Sequence, residues 1–497
     1  MYLPALRRHH RHGLMLIVAA LLLQACATYT DTVDFATAPE AHPKLGSAGG
    51  ANQQGYRAAL YDTVWPADMA NLNRSNTVVN AGLLRDTSSA EVRVDTVAMP
   101  FPVFSYTRNL DEVFVLGGLP RVLEDYVADI DGAKAGSSPS EPHLTKYNPF
   151  TGETVRLALD RGRGFGYIGG ALIHENGYVY VVSQCYLYKI NPDSMTITAG
   201  RQLPSAPFPG SLATIYNGLS ATKSGRLLTK HFSPVSDASL FLVIDPETLT
   251  IVGKTEYPGA SPRLSVAALA DGTEYLYHLN RRSTFRFRIT DDALALDEDW
   301  ISRFDPYGTG REENAEPTSP VVAGGRIYYT TNTVRDVREP MRIFWQESAR
   351  SYSIQDPPLA GEPILGNADG PGWSFFHLAV DETTGIVVGI DQGAGALVAL
   401  RIAGDGTLER LWQRNYTVSA RPVIVSDREL VYATDFTGGR NHLVAVDLKT
   451  GAELIRVATP ATRPTIATII VSAASEVYFG SNEPGSATGL FHRFYVP

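Results

Sequence analysis

The sequence predicts an all-β fold, a β-propeller of four-stranded blades. Three observations predict it: a strand unit recurring about every 50 residues, an Asx-turn signature repeated at one hairpin of that unit, and no run with a convincing helical period. The unit is clearest at its second strand. Short runs rich in Val, Tyr and Ile stand at 112–116, 178–183, 226–229, 275–279, 326–331, 386–390, 430–434 and 476–480. Several follow a turn such as Glu175-Asn176-Gly177, Lys223-Ser224-Gly225 or Ala323-Gly324-Gly325. Asn or Gly there supplies the positive φ of a tight hairpin.

The third-to-fourth hairpins repeat as well. They read Tyr147-Asn148-Pro149-Phe150-Thr151-Gly152, Ile190-Asn191-Pro192-Asp193-Ser194, Ile244-Asp245-Pro246-Glu247-Thr248 and Val446-Asp447-Leu448-Lys449-Thr450-Gly451. An Asn or Asp side chain bonds the backbone two residues on, and Pro presets the next φ. The repeat is therefore a turn device and not chemistry. Eight second strands predict eight blades, with seven as the alternative. The final unit, from Pro464, is short of a fourth strand. The segment 92–99 is expected to supply it and close the ring.

The N-terminus has a different logic. Arg7, Arg8 and Arg11 precede an unbroken run of glycine and apolar residues from Gly13 to Leu23. Basic then apolar is the order of a secretory signal peptide, and eleven residues are too few to span a bilayer, which takes about 20. The run ends in Leu23-Gln24-Ala25-Cys26, which resembles the bacterial lipobox. That resemblance implies cleavage before Cys26 and lipid, with acyl chains such as palmitate, on its thiol. The plain alternative is an ordinary signal peptide cut near Ala25 or Ala27. In the Gram-negative pattern, Asp after the cysteine retains a lipoprotein in the inner membrane. Ala27 stands there, implying the periplasmic face of the outer membrane, with surface exposure as the alternative.

Residues 27–73 are rich in Ala, Thr, Asn, Gly and Pro, and 47–54 is close to a flexible-linker composition. The expected organisation is therefore a leader at 1–25, a flexible tether at 26–73 with a short ordered piece near 56–72, and a propeller at 74–497. Removing the leader takes three arginines and no acid, moving the formal net charge from −9 to −12. Such acidity excludes general attraction to nucleic acid or anionic lipid. With Cys26 lipidated, Cys185 is left alone, so an internal disulfide and a cysteine zinc cluster are both excluded. Nothing points to an oligomer, and a monomer is expected.

Candidate site residues come from the end of the propeller where second-to-third and fourth-to-first connections meet. Second-strand ends offer Gln184, Lys230, His231, His278, Asn280, Arg281, Asn332, Asp391, Gln392, Asp435 and Asn482. Starts of first strands offer Arg263, His377 and Arg421. His231, His278 and His377 lead as metal ligands or bases. Arg263 and Arg421 would neutralise developing negative charge, and Asn280, Asn332, Asp391 and Asp435 are candidate ligand contacts. No spaced histidine motif joins them, so each His by itself reads first as a hydrogen-bonded structural residue. Asp129-Ile130-Asp131-Gly132, in an insertion at 119–141, departs from a calcium loop at Ala133 and reads as a solvated acidic loop. The insertion itself reads as a lid, a docking arm or a surface loop. Residues 161–166 (RGRGFG) are followed by a strand where a phosphate loop needs a helix.

Residues 443–453 (LVAVDLKTGAE) resemble the repeat of quinoprotein-type propellers, in which an Ala-x-Asp-x-x-Thr-Gly turn is often followed by Trp. Ile455 stands where that Trp would fall, and Trp412 and Trp300 hold comparable fourth-strand places in other units. The resemblance implies the fold. Enzymes of that family hold pyrroloquinoline quinone with a vicinal disulfide and a calcium set, and no adjacent cysteines exist here. A second branch is a non-catalytic outer-membrane assembly lipoprotein, whose partner-binding motifs this chain lacks. The leading expectation is thus a lipid-anchored scaffold that binds an envelope protein or a ligand, without a cofactor. The alternatives are a lyase, hydrolase or sulfotransferase using the His and Arg residues, and a binder of quinone or divalent metal through atypical ligands.

Overall fold

In the computed structural model, the described residues are 43, 54–118, 141–159, 168–204, 215–232, 238–258, 263–280, 283–303, 315–317, 319–333, 343–349, 374, 376–404, 407–462, 467–482 and 489–497. They form eight sheets, each built on strands consecutive in sequence, with Thr77–Val78 added to the seventh and Arg93–Met99 and Ala420–Arg421 to the eighth, which is the eight-bladed propeller the repeat predicts. Blade 1 runs Pro102–Asn109, Glu112–Gly117, His143–Tyr147 and Thr154–Ala158. The innermost strands of blades 2 to 4 are Ile168–Ile173, Ile215–Ala221 and Ser265–Ala268. In blade 5 the first-strand place is filled in two pieces, Ala315–Pro317 and Val321–Ala323, both paired to Arg326–Thr333. Blades 6 to 8 begin with Ala379–Asp381, Val423–Val425 and Ala467–Ser472.

Burial explains why second strands were the legible ones. Blades stack face to face, so a middle strand is covered on both sides, and Ile386–Asp391 is buried at every position. Outer strands face water: Thr154–Ala158 is exposed at four of five positions. The hairpin signature works as expected. Oδ1 of Asn148 accepts from the N–H groups of Phe150 and Thr151. Oδ1 of Asp447 accepts from Lys449 and Thr450 in the same way. The signature does a second job between blades, because carbonyls of these hairpins accept donors from the preceding blade. Tyr180 Oη–H reaches Pro246 O at 2.8 Å, Lys146 Nζ reaches Pro192 O at 2.9 Å, and Trp412 Nε1–H reaches Leu448 O at 2.8 Å. Trp300 Nε1–H similarly donates to Glu347 O.

The ring closes as predicted. Arg93–Met99 pairs antiparallel with Gly489–Tyr495 and becomes the outer strand of blade 8. An unclosed edge would offer a ready template to another chain. Arg493 strengthens the seam by pairing with Glu476 and donating to Pro149 O of blade 1.

One expectation about organisation needs correction. The boundary expected at 73/74 falls inside a buried segment, and the stretch from residue 54 onward is part of the propeller. Tyr61, Val64, Trp65, Met69, Leu72 and Val78 are all buried. The segment circles the channel and exchanges backbone hydrogen bonds with seven of the eight blades. Thr107, Ile173, Val266, Val322, Val380 and Ile424 each donate from an innermost strand to a carbonyl of residues 65–76. Thr77–Val78 then pairs parallel to blade 7, and Gly82 N–H reaches Ser472 O of blade 8. The physical reason is that the innermost strands have one free edge each, and this chain satisfies it. The earlier tether residues and Cys26 lie outside the described residues.

The fit is not relaxed. Ala59, Met69, Ala70, Arg74, Asn76 and Asn80 all have φ between 54° and 70°, half of the non-glycine positive-φ positions among the described residues. Such conformations cost about 1 kcal/mol or more each and persist where the surroundings over-determine them.

Candidate functional site

The circling segment carries Asp68 and Arg74 to the end of the channel where innermost strands begin. Asp68 Oδ2 accepts from Arg74 Nη2 at 2.8 Å and from Arg263 Nη1. Its Oδ1 accepts from Arg421 Nη1 at 2.7 Å. Arg263 leads into blade 4, whereas Arg421 ends the short strand Ala420–Arg421 that pairs with blade 8. Side-chain exposures of Asp68, Arg74 and Arg263 are 3–4%, and that of Arg421 is 10%. The Phe104 ring of blade 1 lies under two guanidiniums, 4.4 Å from Arg263 and 5.5 Å from Arg421. Gly170 and Gly218 leave the room Arg263 needs, since a Cβ at Gly170 would stand 3.2 Å from its Nη1.

His377 leads into blade 6 and joins this group. Its Nδ1 accepts the Ser319 N–H at 3.0 Å, bridging the starts of blades 5 and 6. Burial, followed by repulsion from Arg421 and Arg74, holds the imidazole well below its ordinary pKa. It is a neutral acceptor near pH 7. Burial opposes ionisation of Asp68, but Arg263, Arg421 and Arg74 together outweigh it and hold the carboxyl well below its usual range. Arg74 is pushed down to about 10 by burial, partly offset by Asp68. Lys230, on the second strand of blade 3, is fully buried, and burial with Arg263 nearby pushes its ammonium down to about 7. These directions report one condition: a positive potential in a place that water barely reaches.

Among the residues expected to act, Arg263, Arg421 and His377 are thus brought together. The other histidines are not. His278 sits between the rings of Phe241 and Phe285, with centroids at 5.1 and 5.4 Å, and His231 packs edge-on to Tyr216. Among the described residues no three His, Cys, Asp or Glu side chains are placed to hold a metal. The polar candidates serve loops: Asn280 Oδ1 accepts from Ser283 N–H, and Asp391 Oδ1 from Ala394 N–H. Asp435 is ion-paired to Arg456 at 2.9 Å and accepts the Thr417 N–H. Asn332 lies on the second strand of blade 5, and Cys185 is buried. Arg281, the acidic loop at 129–132, most of its insertion, and residues 161–166 lie outside the described residues.

Sequence reasoning missed Asp68 and Arg74 because their segment resembled a linker in composition. The signal against a linker was present: Tyr56, Tyr61, Trp65 and Leu72 in one short stretch are too apolar to stay in water.

Fold and site together define a closed eight-bladed propeller with an arginine-rich channel end. The chain aligns over 84% of its length with the Dos1 propeller, covering 96% of that chain, at TM-score 0.52 and 8% identity. It is also similar to the WD40 domain of SCAP from fission yeast (TM-score 0.48, 8% identity, 82% of this chain and 95% of that one). A periplasmic gluconolactonase of Pseudomonas aeruginosa aligns at TM-score 0.43 and 13% identity, over 67% and 94%. These likenesses concern the fold alone. No protein family and no curated protein matches the sequence.

Proposed function

We propose that this chain is a lipid-anchored propeller of the bacterial envelope that binds a ligand at the Asp68 end of its channel, as a scaffold and not as a catalyst. The observation that carries the ligand-binding part is the convergence of Arg74, Arg263 and Arg421 on one buried carboxylate, with His377 beside them. Burying several guanidiniums together is costly, and folds tolerate it where a site needs fixed cationic donors. The basic-then-apolar leader and the Leu23–Cys26 motif support the anchor. The quinoprotein-type likeness of residues 443–453 supports descent from that superfamily, without its cofactor ligands.

An enzyme of lyase or hydrolase type is the second reading, favoured by a neutral His377 beside Arg421, a pairing suited to taking a proton next to a developing anion. Thermal-shift screening of the mature protein against a metabolite library, followed by chromatography of each hit, separates the two. Binders recovered unchanged, and lost in Arg421→Met, are expected. Hits converted to product would establish the enzyme, and an empty screen would sink both. Lipid labelling of Cys26→Ser tests the anchor: unchanged labelling and processing would refute it.

A further inference from the structure

We propose, resting on the ligand-binding reading above, that the channel end takes an anionic group of a small ligand, a carboxylate or a phosphate, against Arg74, Arg421 and Ser319. The site is built and electrically incomplete. Arg263 has further contacts of its own, so the count rests on the other two arginines. Arg74 and Arg421 share the single carboxylate of Asp68. Each also keeps a buried Nε–H without an acceptor, and the buried hydroxyl of Ser319 has no partner either. An unpartnered buried donor costs about 1–3 kcal/mol, more when charged; two of these three sit on guanidiniums that share Asp68, and the third is on Ser319, whose N–H is held by His377 beside them. A bound oxyanion supplies acceptors for all three.

The donors also match that chemistry. Guanidiniums pair with the oxygens of carboxylate and with phosphate, and Asp68 already accepts one Nη–H from each of Arg74 and Arg421. Phe104 holds Arg263 and Arg421 from below, so the forks are positioned before any ligand arrives. Arg421 is the side of the cluster that reaches solvent, with a tenth of its side chain exposed. Burial first, and then repulsion from Arg263, lower Lys230, and the second of these causes is the one an anion would relieve.

The test titrates the mature protein with inorganic phosphate, with succinate and with neutral succinamide, at ionic strength fixed by NaCl. Calorimetry and melting temperature are read together. One anion per chain is expected, in either the phosphate or the succinate arm, and the arm that responds names the source of the oxyanion. Affinity should fall at least tenfold in Arg421→Met. If that variant does not fold, Ser319→Ala carries the test, because removing an unpartnered hydroxyl costs the fold little while removing a ligand donor; a fall of about threefold or more is expected. Phosphate and succinate that bind no better than chloride overturn the proposal, as does equal binding of succinamide or no effect of either substitution. A neutral library hit lost in Arg421→Met, with neither anion binding, would overturn this inference and leave the binding reading standing.

Discussion

Asp68→Asn should destabilise the propeller by roughly 3–5 kcal/mol, the scale for removing one partner of a buried ion pair. The change is close to isosteric, so no cavity forms and the loss is electrostatic. Asp68 accepts charge-assisted hydrogen bonds from three guanidiniums, each worth about 1.5–3 kcal/mol by itself. The three act on one carboxylate and do not add, which keeps the total near one broken pair. The amide would also turn a donor toward a guanidinium. Met69 and Ala70, the next two residues, sit at φ 68° and 70°, so the clamp holds the chain in a conformation it would otherwise leave. The assay is urea unfolding of both proteins from pH 8 to pH 3.5. Because the folded carboxyl is held below its ordinary value, its contribution is present above the unfolded value of about 4 and is lost as pH falls through the folded one. The gap between the two proteins should therefore be flat from pH 8 to about 5 and narrow only below about 4. A gap under about 1 kcal/mol at pH 7, or one that narrows between pH 7 and 5, would refute the reasoning.

Two further outcomes follow from the same physics. Lys230→Met should stabilise the protein at pH 7. The folded ammonium value of about 7 lies below the ordinary one near 10.5, so the native protein gains stability as pH rises between them, and the benefit of Met should shrink toward pH 10.5; a benefit independent of pH would show that lysine burial is not its source. Trp412→Phe removes the donor to Leu448 O across the blade 6–7 boundary and should cost about 1–3 kcal/mol in urea unfolding, and an unchanged midpoint would show that this docking contact is not energetic.

The likenesses to solved propellers carry fold and no more, so function has to be argued from residues. Those residues divide sharply by where their neighbours come from. Asn148, Asn191, Asp245 and Asp447 were legible because an Asx turn is made within four residues. Arg263, His377 and Arg421 were legible as candidates because the blade period places first-strand starts at one end of the ring. His231 and His278 qualified by the same rule, yet they pack against aromatic rings, since period alone does not say which way a side chain at that place points.

By itself, then, the sequence determined the periodic part of this protein: eight middle strands, their turn chemistry, and closure by a segment before blade 1, as the register of Arg93–Met99 on Gly489–Tyr495 shows. Each of these follows from local backbone preference and from burial that repeats every blade. Only the tertiary structure decided that residues 54–83 belong inside the ring, because their partners lie on innermost strands up to several hundred residues away. The same is true of the site. Asp68 has Arg74 as a near neighbour in sequence, but Arg263 and Arg421 stand 195 and 353 residues from it. Closing the ring is what makes them share one carboxylate, and no pattern along the chain encodes that meeting.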